Sequence, residues 1–595
     1  MTESEPRDAR GTIPRWFARR PRWVRVVLGT AALVLGAVVL VRPTTSLGVL
    51  ALLIGAGVIL TGVLELTGGG DAGRAPRWRV AIAALWIGAG IFILTWPGLT
   101  VRVLALVVAV GLLANGVFSV VSAFSRRASV DARIASGLLG IAGVVFGLLA
   151  LLWPDITLLI VAAVFGARLI IGGALEIWQT LRGRTRRAPR APRRWVRTTA
   201  AVVAVLLAGG AASLSATLRA GSPVVDEFYA APRTVPPDPG ELIRAESFTR
   251  KVPTGALAWR ILYTTTDGDG APAVASGLVV VPAAGEGDWP VVDWAHGTTG
   301  FAQQCAPSLL PEPFESGAFF LLDDVVARGW ALVATDYIGL GTPGPHPYLV
   351  GEPSGRAVLD AVSAARDLDE ARLGAQTVVW GHSQGGAAAL WAGVLAARGY
   401  APEVPLDGVA ALAPAADLPG MVGEFDRITG GSVFASFVIA AYAQLYDDVA
   451  YGRYVRPGAE VAVRQMAGRC LAEPSTGVSV LALLGMRRDP DIFAADPTTD
   501  PLGARLRENI PPASIAAPLL IGQGADDELI SRAVQDGYVG GLCAAGQRVD
   551  YRLYPGRGHV PLVEPGSPLV PDLFAWTAAR FAGEPAEPGC RTTER

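Results

Sequence analysis

Histidine and cysteine are both scarce in this chain of 595 residues, with four of each. Neither type clusters at metal-ligand spacing, so no metal centre and no cofactor is expected. A strong charge of either sign is also missing. The formal net charge of −1 argues against nucleic acid as the main partner. Lysine is rare, Lys251 being an exception, and arginine carries the basic charge. We read that as compositional bias and give it no functional weight. Cysteine does not occur before Cys305, and residues 182–197 hold no acidic side chain.

What is present divides the chain in two, because its length exceeds one compact core and its apolar residues crowd the first third. Seven apolar runs, near 24–41, 47–66, 80–96, 101–124, 134–153, 156–178 and 198–218, are each about long enough to cross a bilayer. More runs follow the first directly, which speaks against a cleaved signal peptide. The first six form three copies of one hairpin. Pro43, Pro97 and Pro154 each sit between two runs. Ser46, Thr100 and Thr157 come three residues later, and Gly62, Gly116 and Gly173 nineteen residues later. Proline suits the turn, and small residues let helices approach closely. Residues 22–181 resemble, in this rhythm and composition, the six-helix HdeD-like acid-resistance membrane family. That resemblance carries no catalytic residue with it.

Arginines set the expected orientation. Arg15, Arg19, Arg20 and Arg22 precede the first run, Arg74, Arg77 and Arg79 fall in the second connection, and Arg126, Arg127 and Arg133 in the fourth. The sixth connection holds eight, from Arg182 to Arg197, whereas the alternate connections carry only Arg42 or Asp155. The N-terminus is thus expected in the cytoplasm and, after seven spans, residues 219 onward outside it. Arg168 lies near mid-span where the other copies have Gly57 and Gly111, so an acidic partner such as Glu65 or Glu176 is expected.

The expected organisation is multi-domain. A cytoplasmic arm (1–22) precedes an all-α six-span repeat domain (23–181), then a basic loop with the seventh span (182–218). A proline-rich tether (219–240) leads to an α/β domain (241–595). Within that domain, residues 417–514 are more than a sheet needs and read as a helical lid. Strands alternate with helices beyond residue 259, and Asp267-Gly268-Asp269-Gly270 marks a hairpin between two of them.

Thr377-Val378-Val379-Trp380-Gly381-His382-Ser383-Gln384-Gly385-Gly386 reads as a strand, a sharp turn and a helix start. A bare Gly-x-Ser-x-Gly says little in a chain with 71 glycines, but strand before and helix after suit a nucleophile elbow. Ala387, Leu390, Trp391, Val394 and Leu395 place an apolar face on the following helix. Serine needs a base held by an acid, in the chain order Ser, Asp, His. Of the histidines at 296, 346, 382 and 559, only His559 follows Ser383. Asp527 is the favoured acid after the strand Leu519–Ile521, with Asp526 its rival. The N–H of Gln384 should hold an oxyanion, together with Thr298 or its alternative Thr299 in His296-Gly297-Thr298-Thr299-Gly300.

These stretches, with Asp336-Tyr337-Ile338-Gly339-Leu340-Gly341 and Gly355-Arg356-Ala357-Val358-Leu359-Asp360, make residues 241–595 resemble the secretory lipase family. The resemblance implies an α/β-hydrolase that cleaves acylglycerol esters under a cap, with Ser383, Asp527 and His559 in the catalytic roles. Cys305, Cys470, Cys543 and Cys590 all lie beyond the seventh span, where an even number suggests disulfides with three possible pairings. The resemblance favours Cys305–Cys470 and Cys543–Cys590. Acyl transfer to an envelope acceptor on the same triad, or a membrane stress or lipid sensor with a binding-only external domain, are the alternatives. The expected partners are a lipid or ester substrate and the membrane itself.

Overall fold

The computed structural model describes residues 21–67, 77–124, 129–182, 194–487 and 491–595. The chain divides into two compact units, one built on residues up to Ser215 and one holding most of Ala216–Arg595. Most of the arginines that set the expected orientation, and the side chain of Glu65, lie outside the described residues.

The first unit is helical: α1 (Arg22–Val41), α2 (Pro43–Thr67), α3 (Arg77–Thr95), α4 (Pro97–Ala123), α5 (Val130–Leu152), α6 (Pro154–Leu181) and α7 (Arg194–Arg219). Six of these are long and apolar enough to cross a membrane. The remaining expected span, near 80–96, falls on α3, whose described apolar part, Val80–Thr95, is shorter than that length. The three prolines are helical residues and not loop residues. One residue, Arg42, Trp96 or Trp153, separates each pair of helices, and the proline opens the second. Proline fits there because the first helical N–H has no partner to lose. The amides of Ser46, Thr100 and Thr157 then bond back to the carbonyls of Arg42, Trp96 and Trp153 at 3.0, 3.3 and 3.0 Å.

Close packing runs between the repeats. Helix α2 pairs with α3, α4 with α5, and α6 with α1, so the third hairpin closes onto the first. The repeated glycines lie at these seams. A Cβ on Gly62 would sit 2.8 Å from the Ala83 carbonyl oxygen, one on Gly116 would sit 2.6 Å from the Val144 nitrogen, and one on Gly173 would collide with the Gly29 carbonyl. Leu47, Val101 and Leu158, each four residues after its proline, join Ala51 and Ala105 in a buried cluster. Arg168 is exposed on α6, and among the described residues no ion pair joins it to Glu176.

The second unit is a ten-stranded sheet in the order β1-β2-β3-β5-β4-β6-β7-β8-β9-β10. Its strands are β1 (Leu242–Ser247), β2 (Ala256–Thr266), β3 (Pro272–Pro282), β4 (Trp289–Ala295), β5 (Ala331–Thr335), β6 (Leu373–His382), β7 (Gly408–Leu412), β8 (Leu519–Gly524), β9 (Val549–Tyr554) and β10 (Cys590–Glu594). The first three are antiparallel, and β5 onward runs parallel. The predicted hairpin joins β2 to β3 at the pair Thr266 and Pro272. Parallel strands buried on both faces read as continuous apolar runs, as Leu519–Ile521 and Val378–Trp380 do. Helices α8 (Gly351–Arg366) and α9 (Gln384–Ala397), with the helix Arg532–Ala544, pack on one face. Helix α9 is buried all round from Gln384 to Leu395 and not on one face only, because it lies between the sheet and its neighbours. Gly355 lets α8 approach it, since a Cβ there would sit 2.8 Å from the Ala392 nitrogen.

The stretch 219–240 is not a free tether along its whole length. Phe228 and Tyr229 are buried against Leu262 and Val274, Tyr229 bonds Ser308 at 2.8 Å, and Arg260 pairs with Asp226 at 2.8 Å. Five prolines supply stiffness, and these anchors dock the segment from Asp226 onward onto the sheet. Both disulfides form, Cys305–Cys470 and Cys543–Cys590.

Asp293, in the middle of β4, is fully buried and neither carboxylate oxygen has a hydrogen-bond partner. Burial pushes its carboxyl well above the ordinary range, against a weaker opposing pull from Arg366. A raised folded-state value means the stability it allows is fully present below the ordinary carboxylate range and is lost as pH rises. Asp293→Val, which matches its strand neighbours Val333 and Val379, should therefore raise the unfolding temperature of this unit by roughly 5 °C at neutral pH. Calorimetry on the full chain in detergent should show the gap widening from pH 4 to pH 8; a gap that narrows would refute the account.

Candidate active site

Ser383 follows the last residue of β6 and precedes the first of α9, at φ 58° and ψ −118°. A non-glycine residue takes that backbone only under strain. The surrounding chain holds it there. Ser383 N–H donates to the Leu412 carbonyl at 2.9 Å, and Ala415 N–H donates to the Ser383 carbonyl at 3.0 Å. Gly381 and Gly385 make the turn possible. A Cβ on Gly381 would collide with the Gly385 carbonyl, and one on Gly385 with the Ala295 carbonyl of β4.

The structure brings His559 and Asp527 together. His559 Nδ1 lies 2.8 Å from Asp527 Oδ2, and the two side chains are 3% and 0% exposed. Asp527 follows β8, two strands from β6, and His559 follows β9, so both come from the edge where the parallel strands end. The Asp527 Oδ1 atom accepts from the amides of Leu529 (2.9 Å) and Ile530 (2.8 Å), and Oδ2 also accepts from Gln523 Nε2 (3.1 Å). Burial alone would push this carboxyl up. The His559 hydrogen bond and charge and the two amides outweigh it and hold the carboxyl below its usual value. Asp526 is exposed, and its backbone N–H donates to the Arg557 carbonyl at 3.1 Å. Burial thus separates two adjacent aspartates that the sequence leaves open.

His559 is tied to the serine turn through the neighbouring residue. His382 Nε2 lies 3.1 Å from the His559 carbonyl, and the two rings are 4.7 Å apart. No hydrogen bond joins the Ser383 hydroxyl to His559 in this structure. Catalytic bonds of this kind are often formed only with substrate in place. Burial depresses the other three histidines, His296 to about 4 and His346 and His382 to about 3. They stay neutral at physiological pH.

On the oxyanion side, Gly297 N–H is taken by the Gly317 carbonyl at 3.0 Å. The N–H of Gln384, the first residue of α9, has no intrahelical partner, as first-turn amides do not. Thr298 is half-buried and its hydroxyl lies 3.0 Å from the Tyr348 hydroxyl. Thr299 is fully buried, with its hydroxyl on the Cys305 carbonyl at 2.8 Å and its carbonyl accepting from Leu471 N–H at 2.7 Å. The two aspartates of the other shared stretches are structural. Asp336 accepts from the Ser276 and Ser308 hydroxyls at 2.6 and 2.5 Å, and Asp360 from Thr265 and Tyr400 at 2.6 and 2.9 Å. Among the described residues no cluster of His, Cys, Asp or Glu could hold a metal.

A parallel sheet with a strained serine at a strand-to-helix turn, and an Asp–His pair on the adjoining loops, defines an α/β-hydrolase. Residues 317–589 match the family model for secretory lipases, and residues 27–94, 81–147 and 138–212 each match a short repeat of unknown function, DUF308, which is the HdeD-like membrane family. The chain therefore carries a secretory lipase domain in its C-terminal part and DUF308 membrane repeats in its N-terminal part, and it is an ester-hydrolysing enzyme. Relatives include Probable inactive lipase MT1628 of Mycobacterium tuberculosis, 28% identical over 58% of this chain and 79% of that protein. Lipase 6 of Candida albicans is 27% identical over 63% of this chain and 84% of its own. Among solved structures, Candida Antarctica lipase A shares the fold with a TM-score of 0.50 at 18% identity, covering 62% of this chain and 89% of that one.

Replacing Asp527 with Asn should lower kcat on a p-nitrophenyl ester by roughly 10⁴-fold, with Asp526→Asn left within about twofold of the unaltered enzyme. Equal losses in both variants would remove Asp527 from its place.

Proposed function

We propose that the second unit is a membrane-anchored, extracytoplasmic serine hydrolase that cleaves acyl esters, acylglycerols foremost, through Ser383, His559 and Asp527. The observation that carries the reading is the buried His559–Asp527 pair, 2.8 Å apart, on loops adjoining the strained Ser383 turn. In the proposed reaction Asp527, kept ionised, fixes the Nδ1–H tautomer of His559 and leaves Nε2 free to take the Ser383 proton. The hydroxyl attacks the ester carbonyl, and the N–H groups of Gln384 and Thr298 hold the oxyanion. The alcohol leaves with the proton from His559, and water then releases the acid by the same steps in reverse.

Two disulfides support an oxidising compartment for this unit, and six apolar helices with membrane repeats support a fixed anchor. The name of the mycobacterial relative favours an opposing reading, a domain that binds esters without turning them over. The 417–514 region serves as the cap, its apolar helix Gly431–Leu445 lying between β7 and β8 in the chain. Ser383→Ala should lower p-nitrophenyl butyrate turnover by 10⁵-fold or more, on the order seen when a triad serine is removed, at unchanged abundance in the membrane fraction. Full turnover in the variant would remove Ser383 from the nucleophile's place, and an unaltered protein with no turnover above background would favour the binding-only reading.

A further inference from the structure

The loop between β5 and α8 takes no part in the chemistry above, yet two of its side chains reach the two residues assigned to the oxyanion. His346 Nε2 lies 3.0 Å from the Gln384 side-chain nitrogen, and the Tyr348 hydroxyl lies 3.0 Å from Thr298 Oγ1. The first contact has a definite sense. His346 Nδ1 is 3.0 Å from the Ile338 carbonyl, which can only accept, so Nδ1 carries the proton. The Nε2 atom is then an acceptor, and the Gln384 amide donates to it. His346 and Tyr348 are 1% and 3% exposed, so neither contact competes with water.

We propose that His346 and Tyr348 are positioning residues that orient Gln384 and Thr298 from one buried strap, residues 338–350. The proposal rests on the serine-hydrolase reading and adds what sets its oxyanion geometry. The strap is itself held by the helical insertion. Tyr442, on the helix Gly431–Leu445, donates its hydroxyl to the Leu349 carbonyl at 2.9 Å. The Phe437 ring of the same helix meets the Tyr348 ring edge-on at 5.7 Å. A displacement of that helix is therefore passed to both donors through adjoining residues of one strap. Donors misplaced by fractions of an ångström lose transition-state stabilisation without losing substrate binding.

The test uses the full chain in detergent with p-nitrophenyl butyrate, comparing Tyr348→Phe, Thr298→Val, Thr298→Ser and the Tyr348→Phe/Thr298→Val pair. Tyr348→Phe keeps the ring on Phe437 and removes only the hydroxyl. It should lower kcat about tenfold at unchanged KM and unchanged unfolding temperature. Thr298→Val should do the same, Thr298→Ser should recover most of the loss, and the double variant should be no worse than either single one. A Tyr348→Phe enzyme within twofold of the unaltered kcat, or losses that multiply in the double variant, would overturn the proposal. Ser383→Ala, run alongside, separates the two claims. If it is inactive while Tyr348→Phe is unimpaired, only the strap assignment fails; if it retains full turnover, the nucleophile assignment fails and takes the strap with it.

Discussion

A serine held at φ 58° between a strand and a helix is the constraint on which the second unit depends. Such a backbone persists only where its surroundings over-determine it. Here the Leu412 carbonyl and the Ala415 amide grip the serine from β7 and the residues after it, while β4 passes so close that only glycine fits at 385. Each requirement lies on a different element. The strand order 4-6-7 beneath the turn is therefore what keeps the hydroxyl at the edge where the loops after β8 and β9 bring Asp527 and His559.

The membrane unit obeys a different steric rule. The two helices of each hairpin are joined by a single residue, and the proline after it begins the second helix. Packing is then met between hairpins, at seams where Gly29 faces Gly173, Gly62 faces Ala83 and Gly116 faces Gly140. In a bilayer, where burial of apolar surface does not drive helices together, such close backbone approach is the main source of association. A cyclic arrangement of three alike seams follows from the threefold repeat.

The legible parts of the sequence were those set by order and scarcity. Four histidines, with one beyond Ser383, leave a single base, and the strand-turn-helix pattern marks the serine without help. Asp527 was favoured but Asp526 remained its rival, because neighbours in sequence differ only in which way the loop turns them. The cysteine pairing was open on residues alone for the same reason, and the family resemblance supplied it. The repeat spacing revealed three copies but not which helices would pair, since spacing reports neighbours along the chain and not across it. Strands β1 and β10 escaped notice: both are short, lie at the sheet edges and carry polar residues such as Arg244, Glu246, Thr592 and Glu594. The reach of His346 and Tyr348 to Gln384 and Thr298 spans 38 and 50 residues and has no local signal.

The account is tested most directly by reacting the full chain with a fluorophosphonate and mapping the adduct by mass spectrometry, in the unaltered protein and in His559→Gln. A single adduct on Ser383, formed far more slowly in the variant, is the predicted result. An adduct on another residue, or one that forms equally fast without the imidazole, would contradict it.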